Sequence, residues 1–156
     1  MRCTGRAFLS VAVILIAGVA VAGKGGGLKG QILASDEPIP ALEDETKMVD
    51  VLKRWQKPVI EKGKDAEAWS FHMMSFPDKK PGASTLTLLF YDVSGGKRTY
   101  LTSKEISCDA AASILASEIE VSMEDGIKPG MKVELALSRI VGDKQTDLAR
   151  TKLTFK

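Results

Sequence analysis

Apolar and polar residues alternate with a period of two along most of the chain after residue 68. Successive side chains of a β-strand point to opposite faces, so this alternation predicts strands with one buried and one exposed face. The alternating runs cover residues 69–74, 85–90, 100–106, 115–121, 132–138 and 150–155, and a further strand is predicted at 28–34. Turn-forming clusters separate these runs without intervening helices. The pattern predicts a mainly β fold, an antiparallel immunoglobulin-like β-sandwich of about seven to eight strands.

Residues 42–56 show the spacing of a helix instead. Met48, Leu52 and Trp55 fall near one stripe, which is typical of an amphipathic helix that packs on a core. Acidic residues gather at the start of the segment and basic residues at its end, in the sense that suits the helix dipole. Pro58 ends the pattern. We therefore expect one short helix at about 42–56, inserted near the N-terminus of the β domain.

The segment from Ile127 to Leu135 carries a family resemblance. A hydrophobic residue, a Pro-Gly pair and then an alternating run follow one another there, and this order resembles the turn into the sixth strand of fibronectin type III domains. Val133 occupies the position at which that family has its corner tyrosine, and Trp69 resembles the core tryptophan of such sandwiches. The resemblance implies an immunoglobulin-like fold and, by analogy, a binding or scaffolding role.

The first 22 residues have the three parts of a secretory signal peptide. Arg2 and Arg6 precede an apolar stretch, and a small-x-small sequence ends at Ala22, which is the pattern that a signal peptidase recognises. We expect residues 1–22 to be removed, 23–27 to form a flexible Gly-rich lead-in, and 28–156 to form a single domain. The protein is therefore predicted to be exported, to the periplasm or to the cell exterior.

Charge and cysteine content narrow the partners that we expect. The chain has 22 basic and 20 acidic residues, and loss of the two arginines in residues 1–22 leaves 20 of each. A neutral domain has no general attraction to nucleic acid, and no stable membrane insertion is expected after signal cleavage. Cys108 would be the one cysteine left, so a disulfide to a partner protein is a further hypothesis.

Three single residues are candidates for interaction or chemistry. Cys108 is a potential nucleophile if His72, the one histidine, serves as its base. Trp55 lies among lysine and arginine residues that favour a glycan or an anionic polymer, although its helical stripe favours burial in a core. We assign no catalytic residue and no cofactor, and treat Trp55, His72 and Cys108 as interaction candidates.

An acidic cluster near the N-terminus is a candidate for calcium. Carboxylate oxygens at this density suit a hard cation, but their spacing is not that of an EF-hand loop, and acids at the start of a helix are also typical of a solvated turn. The cluster consists of Asp36, Glu37, Glu43, Asp44 and Glu45. It is kept as a calcium hypothesis, and no established metal-ligand motif is found.

The sequence thus predicts an exported, non-enzymatic binding, adaptor or structural module whose partner is another envelope or extracellular protein. Pairing through an exposed strand edge is one expected mode, with Leu28 to Ala34 or Lys152 to Lys156 as the candidate edges. Two alternatives remain. One is a small secreted enzyme or enzyme inhibitor, and the other is a calcium-stabilised extracytoplasmic domain. No nucleophile-elbow, Walker or zinc-protease signature appears in the chain.

Overall fold

Strands dominate the described part of the protein. The structure, a computed structural model, describes residues 27–44 and 46–156. Its content of 49% strand and 9% helix confirms the prediction of a mainly β fold. The predicted signal peptide, residues 1–22, and Glu45 lie outside the described residues. The strands are β1 (Gln31–Ser35), β2 (Val59–Ile60), β3 (Ala68–Phe76), β4 (Thr85–Asp92), β5 (Thr99–Ser107), β6 (Leu115–Ser122), β7 (Lys132–Val141) and β8 (Lys144–Phe155).

The strands form one continuous sheet in the order β5-β4-β7-β8-β1-β3-β6, with β2 paired to β8. The pairs are antiparallel except for β1 with β8 and β2 with β8. The sheet curls into a nearly closed barrel. The finer prediction, two stacked immunoglobulin-like sheets, is therefore not what the structure has.

The long strand β8 is the physical reason for this difference. It pairs with β7 on one side, while its other side meets both β1 and β2. The backbone N–H of Arg150 donates to the carbonyl of Gly30 at 3.0 Å. Two groups of strands that a sandwich would stack as separate sheets are thereby hydrogen-bonded into one.

The predicted edge strands are wrong for the same reason. The segment Leu28 to Ala34 leads into β1, which lies between β8 and β3, and Lys152 to Lys156 covers the end of β8, which pairs with β7 and β2. In the described part of the chain, the strands that end the sheet order are β5 and β6. Both carry charged side chains, which discourage pairing with another strand.

Two apolar clusters hold the fold together. The inner core fills the barrel and includes Trp69, Phe71, Phe90 and Phe155, all fully buried. The outer cluster lies between the helix and the outside of β1 and β3, where Leu33 and Met74 face Leu52 and Trp55 of the helix. Alternation along β3 thus supplies both clusters, since Phe71 and Met73 point inward and Met74 points outward.

The helix α1 (Met48–Trp55) is shorter than the predicted 42–56. Residues 41–44 are irregular, and the Asp44 carboxylate accepts from the backbone N–H of Thr46 at 2.9 Å. Such local side-chain acceptors compete with helix formation. At the other end, Gln56 is extended, with ψ of 143°, before Pro58. No helix in the described ranges has the length and apolar composition that a membrane crossing requires.

The gap between β5 and β6, which we call the seam, is bridged by side chains. Asp125 follows β6 in a 3₁₀ turn (Met123–Asp125), and its Oδ1 lies 3.0 Å from Nζ of Lys104 and 3.4 Å from Oγ1 of Thr102, both on β5. Thr102 and Lys104 pair with the core residues Phe90 and Leu88, so they lie on the inner face. Asp125 also accepts from the backbone N–H of Ser122 at 2.9 Å.

Replacement of Asp125 by alanine is expected to lower the free energy of unfolding by about 1.5 kcal/mol. The cap on Ser122 contributes about 1 kcal/mol, and the partly exposed contact to Lys104 contributes less. Burial raises the pKa of Asp125, but the hydrogen bonds from Ser122 and Lys104 outweigh it and leave the pKa below its usual value. A carboxylate with a depressed folded-state pKa stabilises the protein above about pH 4 and loses this contribution as the pH falls further.

Urea unfolding at about pH 7 and about pH 3 measures this effect. The exposed neighbour Glu124 lies in the same 3₁₀ turn, so Glu124→Ala is the matched control and should change little. The difference between Asp125→Ala and the unmodified protein should shrink at low pH. A difference of the same size at both pH values would contradict the role given to the ionised carboxylate.

Candidate functional site

Trp55 belongs to the outer cluster and is 7% exposed. Its indole Nε1 donates to the carbonyl oxygens of Glu37 and Pro38, at 3.1 and 2.9 Å. These bonds fasten the end of α1 to the segment that follows β1. The ring is therefore occupied by packing and offers little surface to a glycan or polymer.

His72 and Cys108 do not come together. His72 lies on β3 between Ser35 of β1 and Glu118 of β6, on the strand face opposite the inner core. Cys108 follows β5, packs against the inner core, and donates from Sγ to the carbonyl oxygen of Ala83 at 3.3 Å. Burial, followed by the nearby Asp109 charge, raises the pKa of the Cys108 thiol. This lowers the fraction of thiolate, which is the reactive form.

The acidic cluster is divided among separate partners. Nζ of Lys57 lies 2.7 Å from Asp36 and 2.8 Å from Glu37, and the hydrogen bond to Asp36, then that to Glu37, raises the pKa of the lysine. Asp44 is engaged by Thr46 and Lys47. Glu43 is exposed. Among residues 27–44 and 46–156, no three His, Cys, Asp or Glu side chains are grouped to hold a metal ion.

Millimolar calcium is expected to leave the melting temperature unchanged, because a calcium ion at Asp36 and Glu37 would have to displace the Lys57 ammonium. A ligand that binds the folded state alone raises the melting temperature, so thermal unfolding with calcium and with a chelator is the measurement. Lys57→Met is the matched variant, since it frees both carboxylates. A rise in the unmodified protein would favour the calcium-stabilised alternative.

The outer face of β4, β7 and β8 carries a polar network centred on Arg98, in the loop between β4 and β5. The guanidinium carbon of Arg98 lies 3.8 Å from the ring centroid of Tyr91. Nε of Arg98 lies 2.8 Å from Oε1 of Glu134, and Nη2 lies 3.6 Å from Oδ2 of Asp147. The contact with Glu134 is an ion pair whose angles do not meet those of a hydrogen bond. Tyr100 packs edge-on against Tyr91 with ring centroids 6.1 Å apart.

Asp147 is the shared acceptor of this network. Its Oδ1 accepts from Oγ of Ser138 at 2.6 Å and from Nε2 of Gln145 at 2.7 Å, and its Oδ2 accepts from Arg150. The Asp147 side chain is 12% exposed and Ser138 is fully buried. Burial raises the pKa of Asp147, but the hydrogen bonds from Gln145, Ser138 and Arg150 together lower it by more. The pKa of Asp147 therefore lies below the usual value.

A groove of about 520 Å³ borders this network, and we call it the lysine groove. Three exposed lysines line it, together with Arg98 and Glu134 of the network. Its floor includes the buried Leu153. The remaining lining residues and the lysines are Pro58, Val93, Gly96, Lys97, Lys132, Lys152 and Thr154. The volume is within the range of small-ligand pockets, but the groove is more polar than most of these.

The Arg98 network and the lysine groove contain none of the three interaction candidates from the sequence, Trp55, His72 and Cys108. The network and the groove are built from β4, β7, β8, the loop before β5 and Pro58 ahead of β2, and their residues lie as far apart in the chain as Pro58 and Thr154. The signal present in the sequence is the outward alternation of Lys132 and Glu134. Strand adjacency, which a linear pattern does not contain, is needed to bring Tyr91, Arg98 and Asp147 to them.

Comparisons with known protein families, with curated proteins and with solved structures found no match for this chain. The site is therefore interpreted from its own geometry.

Proposed function

We propose that this protein is an exported, non-enzymatic binding module, and that the outer face of β4, β7 and β8 contacts another envelope or extracellular protein. The observation that carries the proposal is the position of Arg98, stacked on Tyr91 and placed between Glu134 and Asp147. A side chain already held in one geometry loses less conformational entropy when a partner binds.

The composition of the face supports the same function. Tyrosine and arginine are enriched among the residues that dominate binding energy at protein interfaces. Tyr100 is 55% exposed, and Arg150 has a side chain that is 55% exposed, while both are anchored from beneath by Tyr91 and Asp147. Exposed but anchored groups of these two types favour recognition of a protein surface.

Site-specific photocrosslinking in the cell of origin tests the proposal. A photoreactive residue at Lys152 lies on the proposed face, and one at Tyr100 lies beside it, at the start of β5 against Tyr91. One at Lys53 lies on α1, which covers β1 and β3. We expect light-dependent crosslinks to the same exported protein from Tyr100 and Lys152 and not from Lys53. Crosslinks from Lys53 alone, or from no position, would refute the proposed face.

Arg98→Gln is the variant that links the crosslink to the network. It removes the charge that pairs with Glu134 and Asp147 while the core of the barrel stays intact. We expect a weaker Tyr100 crosslink in this variant, and circular dichroism checks that it still folds. The export component has its own test in N-terminal sequencing, where a mature start at Met1 would refute it.

A further inference from the structure

We infer that the lysine groove receives an extended acidic segment of the partner protein, with carboxylates at alternate positions. This inference rests on the proposed function and adds the chemistry of the contact. Lys97, Lys132 and Lys152 line the groove and are exposed, and none has a carboxylate within ion-pair distance among the described residues. The groove therefore has positive charge that the protein itself does not neutralise.

The network explains why these lysines have no partner. Glu134 is the cross-strand neighbour of Lys152 in the β7–β8 register, and opposite charges at such positions ordinarily attract each other. Arg98 occupies Glu134 at 2.8 Å, however, and Asp147 is shared by Arg98 and Arg150. Glu134 and Asp147 are thus paired with arginines, and the lysines remain for a ligand.

The spacing of the lysines fits an extended peptide. Lys132 pairs with Thr154 and Glu134 pairs with Lys152, so Lys132 and Lys152 are diagonal neighbours on one face, about 7 Å apart at the backbone. Alternate residues of an extended strand are also separated by about 7 Å, since the rise is about 3.3 Å per residue. Acidic side chains at positions i and i+2 of a bound segment therefore match this pair.

The groove lining favours a peptide over a nucleic acid. Proteins that hold single-stranded nucleic acid stack its bases on aromatic side chains, and among the residues that the structure describes none that lines this groove is aromatic. The neighbouring Tyr91 already has Arg98 over its ring and Tyr100 against its edge. Pro58 and Val93 provide apolar surface instead, which suits the side chains that lie between the acidic positions of a peptide.

Fluorescence anisotropy with a labelled peptide of alternating glutamate and serine tests this chemistry on the full exported chain. We expect saturable binding that weakens severalfold as salt is raised through the range in which surface charges are screened. A peptide of the same composition with its glutamates in one block should bind more weakly. In the double variant K132E/K152E, the affinity for the peptide should fall at least about tenfold, which corresponds to a loss of about 1.4 kcal/mol of binding free energy.

The matched control is K79E/K80E, which makes the same charge change in the exposed loop between β3 and β4. It should retain binding. Equal affinity in K132E/K152E and K79E/K80E would overturn the inference, as would binding of oligodeoxythymidine or dextran sulfate without binding of the peptide. Circular dichroism of both double variants checks that they fold.

The Tyr100 crosslink separates failure of this inference from failure of the proposed function. If the crosslink persists while K132E/K152E leaves it and the peptide affinity unchanged, the face is an interface but the groove does not take an acidic segment. If the crosslink is absent from the unmodified protein, the proposed function itself fails. If K132E/K152E loses both the crosslink and peptide binding while K79E/K80E keeps them, the proposed function and the acidic-segment inference are both supported.

Discussion

Replacing Trp69 by alanine is expected to lower the free energy of unfolding by about 4 kcal/mol. Trp69 is fully buried in the inner core, and its ring packs edge-on against Phe155 with centroids 5.8 Å apart. Its indole Nε1 donates to the backbone carbonyl of Lys156 at 2.7 Å, which ties β3 to the end of the chain. Alanine removes the packing and the hydrogen bond and leaves a cavity inside the barrel.

Chemical denaturation monitored by far-ultraviolet circular dichroism measures this loss, because the signal does not depend on tryptophan fluorescence. Trp69→Phe keeps an aromatic ring and removes the N–H donor, so it should lose about 1–2 kcal/mol. Ser70→Ala, on the exposed face of the same strand, should stay within about 0.5 kcal/mol of the unmodified protein. A loss below about 2 kcal/mol for Trp69→Ala would show that the barrel interior relaxes around the cavity.

Replacing Asp147 by alanine is expected to lower the free energy of unfolding by about 3 kcal/mol. The carboxylate is an acceptor for Ser138, Gln145 and Arg150 and lies near Arg98. Its removal leaves the hydroxyl of the fully buried Ser138 without an acceptor and two arginines without a shared counter-charge. An unsatisfied buried group costs about 1–3 kcal/mol by itself.

The pH dependence of Asp147→Ala follows from the lowered pKa of the carboxyl group. Because the folded-state pKa lies below the usual value of 3.8, ionised Asp147 stabilises the protein above about pH 4, and the contribution disappears as the pH falls through the folded-state pKa. Urea unfolding at about pH 7 and about pH 3 measures it. The exposed Asp143→Ala is the control, and a loss as small as that control would contradict the role of Asp147.

The strand positions follow from local pattern. The runs predicted at 85–90 and 115–121 lie within β4 and β6, because alternation depends on neighbouring residues alone. The short strand β2 has no such pattern, since two residues are too few to alternate, and it forms through pairing with β8. The helix is located but overestimated in length, because Asp44 holds the preceding turn out of helical geometry.

Strand register follows less directly from the sequence. The turn at Gly142 and Asp143 joins β7 to β8, with Val141 paired to Lys144. Continued without interruption, this register would place Glu134 opposite Thr151. A bulge near Ser138 shifts the register by one residue and places Glu134 opposite Lys152 instead. The local hydrophobic pattern does not determine that shift, so the lysine pair across the groove could not be derived from it.

The sequence by itself determined that this protein is mainly β, where most of its strands lie, and that one short helix lies between the first of them and the rest, because each of these properties depends on residues close together in the chain. The tertiary structure alone decided that the strands form one nearly closed barrel, that Trp55 is covered, and that His72 and Cys108 stay apart. It also placed Tyr91, Arg98, Glu134 and Asp147 on one face. These properties depend on which strands become neighbours, and that choice is made by contacts between distant parts of the chain.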